Sequence, residues 1–200
     1  MTVTNKSSMS NFASSFFLQM LPVMLGVFLG LWANNWNEGR QLKKLETKVL
    51  QKIKQDIESN RAQLRNVIEY HQSLADSAQS AFATYDEKLL FKSRYEVERS
   101  KPNFWRGTRT GNLRDAGYQT AIVSGVLADM DFGLVSLLSE IDKAHSSYSL
   151  MTNNYLQTII NQTSDTKVID YLVFLISFST DVSITEKNLI ELYDLALSKM

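Results

Sequence analysis

Two hydrophobic rhythms divide the chain. Residues 12–33 (FASSFFLQMLPVMLGVFLGLWA) run without a charge, with Gln19 their one strongly polar side chain, so a helix here is apolar on every side. At about 1.5 Å per residue such a run crosses the roughly 30 Å hydrocarbon core of a bilayer, and the pattern predicts a transmembrane helix. From Leu42 the rhythm changes. Leu42, Leu45, Val49, Ile53, Ile57, Leu64, Val67, Ile68, His71, Leu74, Ala78, Phe82 and Tyr85 recur at steps near 3.6 with polar residues between them. That spacing predicts one amphipathic helix about 65 Å long.

Beyond it, Thr84 and Glu87 fit a capping box opening a helix that runs to about residue 99. Further helices are expected at about 113–128, 131–161, 165–179 and 184–199, the last introduced by Ser183 and Glu186. Residues 168–178 are apolar, but Asp170 interrupts them and they are too short to span a bilayer. Gly and Asn/Asp breaks separate the helices and no hairpin signals occur, which makes the chain all-α. The expected architecture is an N-terminal transmembrane helix continuing into a long amphipathic helix and an antiparallel helical bundle. The corresponding segments are a tail at 1–11, the membrane helix at 12–33, an interfacial stretch at 34–54 and the bundle at 55–200.

Composition conceals this division, because 21 basic and 21 acidic residues sum to no net charge. Residues 7–37 contain no Asp, Glu, Lys or Arg, residues 38–54 hold six basic against two acidic side chains, and residues 55–200 hold fourteen against nineteen. A cleaved signal peptide has a shorter apolar core and small residues before the cut, whereas Leu31 occupies such a position here. The membrane helix is therefore expected to be an uncleaved single-pass anchor in contact with the lipid bilayer. Trp32 and Trp36 suit the interface, and Asn34, Asn35 and Asn37 mark the exit into water. The basic stretch places the bundle in the cytoplasm by the positive-inside rule, and it equally suits a collar on anionic headgroups.

One stripe of the anchor is made of small and polar residues: Ser15, Gln19, Pro22, Gly26, Gly30 and Ala33. Membrane helices associate where backbones approach closely or polar groups bond across, so this face predicts packing on itself or on another membrane protein.

Gly26-Val-Phe-Leu-Gly30, followed by Asn34-Asn35-Trp36-Asn37-Glu38, Arg40 and a charged long helix, resembles a family of bacterial single-span membrane proteins of unknown function. Residues 115–127, with Ala121 and the Ser124-Gly125 pair, are similar to the central helical segment of that family. The resemblance implies a bacterial inner-membrane location and carries over no catalytic residues.

The chain has no Cys and only two His, which excludes disulfides, thiolate chemistry and Cys-based metal sites and leaves little for a His-based one. Asp129, Asp131, Glu140 and Asp142 are spaced as on a solvated helix face. No catalytic residue, metal site or cofactor is expected, and the protein is not expected to be an enzyme. Residues 100–114 form a basic, aromatic-bearing loop in which Trp105, Arg106 and Arg109, with Tyr118, Ser124 and Gly125 nearby in sequence, are candidate ligand or partner contacts. Internal salt bridges of these arginines are the competing reading. Nucleic acid is not an expected partner, since residues 115–200 carry four basic against eleven acidic side chains. Two functions follow: a membrane-anchored scaffold or accessory protein with a filled bundle, or a membrane-tethered sensor holding a small ligand in that bundle.

Overall fold

Pro22 is the one proline between residues 7 and 84, and it lies inside the first helix. In the computed structural model, which describes residues 7–98 and 104–200 with side chains from residue 20 onward, one helix, α1, runs Ser7–Thr84. The tail before Ser7, the side chains of Ser15 and Gln19, and Arg99, Ser100, Lys101 and Pro102 of the expected loop lie outside the described residues. The chain divides into two units, Met1–Thr47 and Lys48–Met200.

In the first unit every described side chain up to Leu45 is exposed, including Leu21 at 61%, Met24 at 70%, Phe28 at 67% and Trp36 at 59%. A Cβ built on Gly26 or Gly30 meets nothing within 4 Å. Trp32 and Trp36 stack with ring centroids 6.0 Å apart, the Arg40 guanidinium lies 5.3 Å from the Trp36 ring centre, and Asn34 donates to Glu38 at 2.7 Å.

The second unit is an all-α bundle. Here α1 buries Val49, Ile53, Ile57, Leu64, Leu74 and Ala78 of the expected stripe, together with Ala81, which lies outside it, while Phe82 of the stripe stays exposed, as do Leu42 and Leu45 in the first unit. Thr84 is still helical and its hydroxyl bonds back to the Ser80 carbonyl at 2.8 Å, so it cannot cap the next helix. Asp86, in an extended conformation, does so by accepting from the Leu89 amide at 2.8 Å. The expected helix to residue 99 is accordingly two short ones, α2 (Glu87–Leu90) and α3 (Arg94–Glu98), separated where Ser93 pairs with Lys167.

The next helix, α4 (Ala116–Ser124), stops at Gly125, whose φ of +73° is the left-handed cap conformation. A single 3-10 turn, Val126–Asp129, leads to α5 (Phe132–Ile160), which Asp131 caps through the Leu134 amide at 2.9 Å. Ser124-Gly125 thus ends a helix rather than sitting inside one as expected, because Gly is the residue that adopts positive φ at little strain.

The last helix, α6 (Val168–Lys199), runs unbroken where a break near residues 180–183 was expected. Val182 is fully buried, and packing carries the helix across the polar cluster. Ser183 bonds back to the Thr180 carbonyl and Glu186 faces the core, so the pair makes no capping box. Tyr155 of α5 meets Phe174 and Phe178 edge-on, at 5.9 and 5.4 Å between ring centroids, and donates to Asp181 at 2.5 Å. His145 pairs with Tyr193 farther along, so α5 and α6 are antiparallel. Pairs His71–Glu186 and Arg61–Asp194 show that α1 and α6 are antiparallel too. Among the described residues α6 is the helix long and apolar enough to cross a membrane, but 44% of its most apolar window is buried inside the protein. Its place at the centre of the bundle accounts for that composition.

Candidate functional site

Residues 104–115 adopt no regular secondary structure, and their backbone polar groups need partners from elsewhere. Side chains of the bundle supply them. Tyr70 accepts from the Arg106 amide at 2.9 Å and donates to the Gly107 carbonyl at 2.8 Å. His71 Nε2 donates to the Thr108 carbonyl at 2.7 Å, and Tyr148 accepts from the Gly111 amide at 3.2 Å. Asn60 holds Arg114 at two points, accepting from its amide at 2.8 Å and donating to its carbonyl at 2.7 Å. Asp56 accepts from the Gly117 amide at 2.8 Å. As the strap advances from 106 to 117 its partners on α1 descend from 71 to 56, so it lies antiparallel along that helix.

Behind the strap is a closed polar cluster. Glu186, fully buried on α6, faces His71 Nδ1 at 2.9 Å and accepts from the Tyr148 hydroxyl at 2.9 Å. Since the Thr108 carbonyl can only accept, His71 Nε2 carries a proton, and a second proton lies between Nδ1 and Glu186. His71 and Glu186 are both 0% exposed, so this sharing satisfies every buried polar atom of the pair. Burial first, and the Glu186 charge second, push Tyr148 far above the usual phenol range, keeping it a neutral donor.

Between the strap and α5 lies an open cleft of about 700 Å³, lined among others by Asn112, Asp115, Asp142, His145, Ser149 and Asn153. His145 is pulled below its ordinary pKa by burial, against the opposing charges of Asp115 and Asp142. The fold therefore favours its neutral form while the unfolded chain takes up a proton below about pH 6.5, so stability should fall as pH drops through that value. Urea midpoints of the detergent-solubilised protein at pH 7.5, 6.5 and 5.5 test this. Wild type should lose more between the first and last than His145→Gln, and parallel pH profiles would contradict the assignment.

Of the sequence candidates, the strap brings Trp105, Arg106 and Arg109 together. Trp105 is half-buried, 5.6 Å from the Phe178 ring centre. The Arg109 guanidinium stacks on Tyr70 at 5.0 Å, and Arg106 is exposed. Among the described residues Arg106 and Arg109 form no internal salt bridge. Tyr118 is half-buried on α4 beside Ile57 and Ile141, whereas Ser124 and Gly125 lie at the opposite end of α4 from the strap. Sequence reasoning missed Asp56, Asn60, Tyr70, Tyr148 and Glu186. The available signal was Asp56 and Asn60 falling within the apolar stripe of α1. No group of three or more potential metal ligands occurs among the described residues. Comparison of the chain with protein-family models, with curated proteins and with solved structures finds no match.

Proposed function

We propose that the chain is a single-pass membrane protein whose helical bundle serves as a non-enzymatic scaffold or accessory module, anchored by α1 and associating through its small-residue stripe with itself or another membrane protein. The observation that carries this reading is the sleeve of exposed large apolar side chains from Met20 to Trp36. No soluble surface leaves so long an apolar band open to water without penalty, and hydrocarbon removes it. Support for a scaffold over a sensor comes from the bundle interior, filled by side chains such as Leu64, Leu74, Tyr148, Phe178, Leu189 and Tyr193. The resemblance of its anchor to bacterial single-span proteins suggests the inner membrane. A sensor reading has the open cleft beside the strap in its favour.

The test is extraction of membranes with alkaline carbonate, then mild-detergent purification of the tagged full chain with mass spectrometry and cross-linking. The protein should stay in the pellet and bring down a stoichiometric partner or a second copy, with Gly26→Leu/Gly30→Leu losing most of the cross-linked species. Release into the supernatant would overturn the anchor. A clean monomer without partner would overturn the scaffold.

A further inference from the structure

Positions 32, 36, 40 and 44 are Trp, Trp, Arg and Lys, each four residues after the last. Steps of four on an α-helix drift by only about 40°, so these side chains form a single ladder about 18 Å long. The geometry bears this out: Trp32 stacks on Trp36, and the Arg40 guanidinium reaches back over Trp36. All four are exposed, as is Lys43 on the adjoining line. The acids of this stretch, Glu38 and Glu46, lie two residues beyond Trp36 and Lys44, some 200° around the helix, and Glu38 is engaged by Asn34.

We propose that Trp32, Trp36, Arg40 and Lys44, with Lys43, form a docking face for the headgroups of anionic phospholipids, an inference that rests on reading α1 as the membrane anchor. Helical side chains tilt toward the N-terminus, so Arg40 and Lys44 reach back toward the apolar sleeve. The indoles fill the interfacial layer, and the guanidinium held over Trp36 presents its N–H fork to a phosphate. Charge complementarity decides the occupant: Arg40, Lys43 and Lys44 are three cations against one neighbouring acid, Glu46, which lies three residues beyond Lys43, so a headgroup with net negative charge gains more than a zwitterionic one.

Quenching of tryptophan fluorescence by brominated lipid tails tests it on the full chain carrying Trp105→Phe, so that Trp32 and Trp36 alone report. The protein is reconstituted in vesicles of phosphatidylcholine and phosphatidylglycerol, with one or the other brominated. Phosphatidylglycerol should be favoured next to the indoles by about threefold or more. Arg40→Gln/Lys43→Gln/Lys44→Gln should bring the ratio close to one, while Arg40→Lys, which keeps the charge and loses the fork, should fall between. Equal quenching by both lipids in the unaltered ladder would overturn the headgroup site and leave the anchor standing. No quenching by either would overturn the anchor and the site with it.

Discussion

Replacing Glu186 by alanine is expected to destabilise the bundle by about 3–5 kcal/mol, the usual effect of breaking a fully buried, hydrogen-bonded ionisable pair by removing one partner. The loss is threefold in kind. His71 keeps its bond to Thr108 but faces an empty space with Nδ1, Tyr148 loses the acceptor of its hydroxyl proton, and a cavity opens beside Phe178, whose ring lies 5.6 Å from that of His71. Because Tyr148 also receives the Gly111 amide, hydrogen exchange at Gly111 should accelerate more than at amides inside α5. Denaturant unfolding in mild detergent gives the stability. A loss under about 1 kcal/mol would mean that water replaces the carboxylate, and that the cluster is less enclosed than described.

The second large effect is expected at Gly117. An added Cβ would stand 2.7 Å from the Ile53 amide nitrogen, 2.9 Å from its Cα and 3.0 Å from the Lys52 carbonyl carbon. These are backbone atoms of a helix and cannot rotate away. Gly117→Ala must lift α4 off α1 and stretch the 2.8 Å bond from the Gly117 amide to Asp56, a loss of about 3 kcal/mol. Gly125→Ala makes the comparison: open space surrounds that position and only its φ of +73° resists a side chain, so about 1 kcal/mol is expected. Thermal unfolding of the two variants side by side decides the matter, and equal shifts would argue against the close approach of α4 and α1.

Much of the bundle is legible in the sequence, and its limits have physical causes. The stripe of α1 can be read because an apolar residue recurs on one face through Ile53, Ile57, Leu64 and Leu74, all of which are buried. The helix expected at about 131–161 is α5, although Asp131, read as part of a solvated helix face, is its N-cap. The reading fails where one local pattern serves two ends. Ser183 and Glu186 match a capping box by spacing, yet Glu186 is drawn inward by His71, 115 residues away in sequence. No window of sequence contains both partners. The strap is the same case: Gly107, Gly111 and its basic residues look like a surface loop, and only the tertiary placement of Asp56, Asn60, Tyr70 and Tyr148 turns it into a seated segment. Local propensity sees a polar residue, while the fold supplies its partner.

The pairing of α1 with α6 also sets a schedule. The partners that cover His71 and Asn60 of α1 include Glu186 and Tyr193, and Glu186 is made 115 residues after His71. At about 5–20 residues per second, 115 residues take roughly 6–23 s, far longer than the microsecond timescale of helix formation. Through that interval the part of the α1 seam that α6 covers stays without its partners. During synthesis, two neighbouring nascent chains have ample time to pair their α1 seams before either has an α6 of its own.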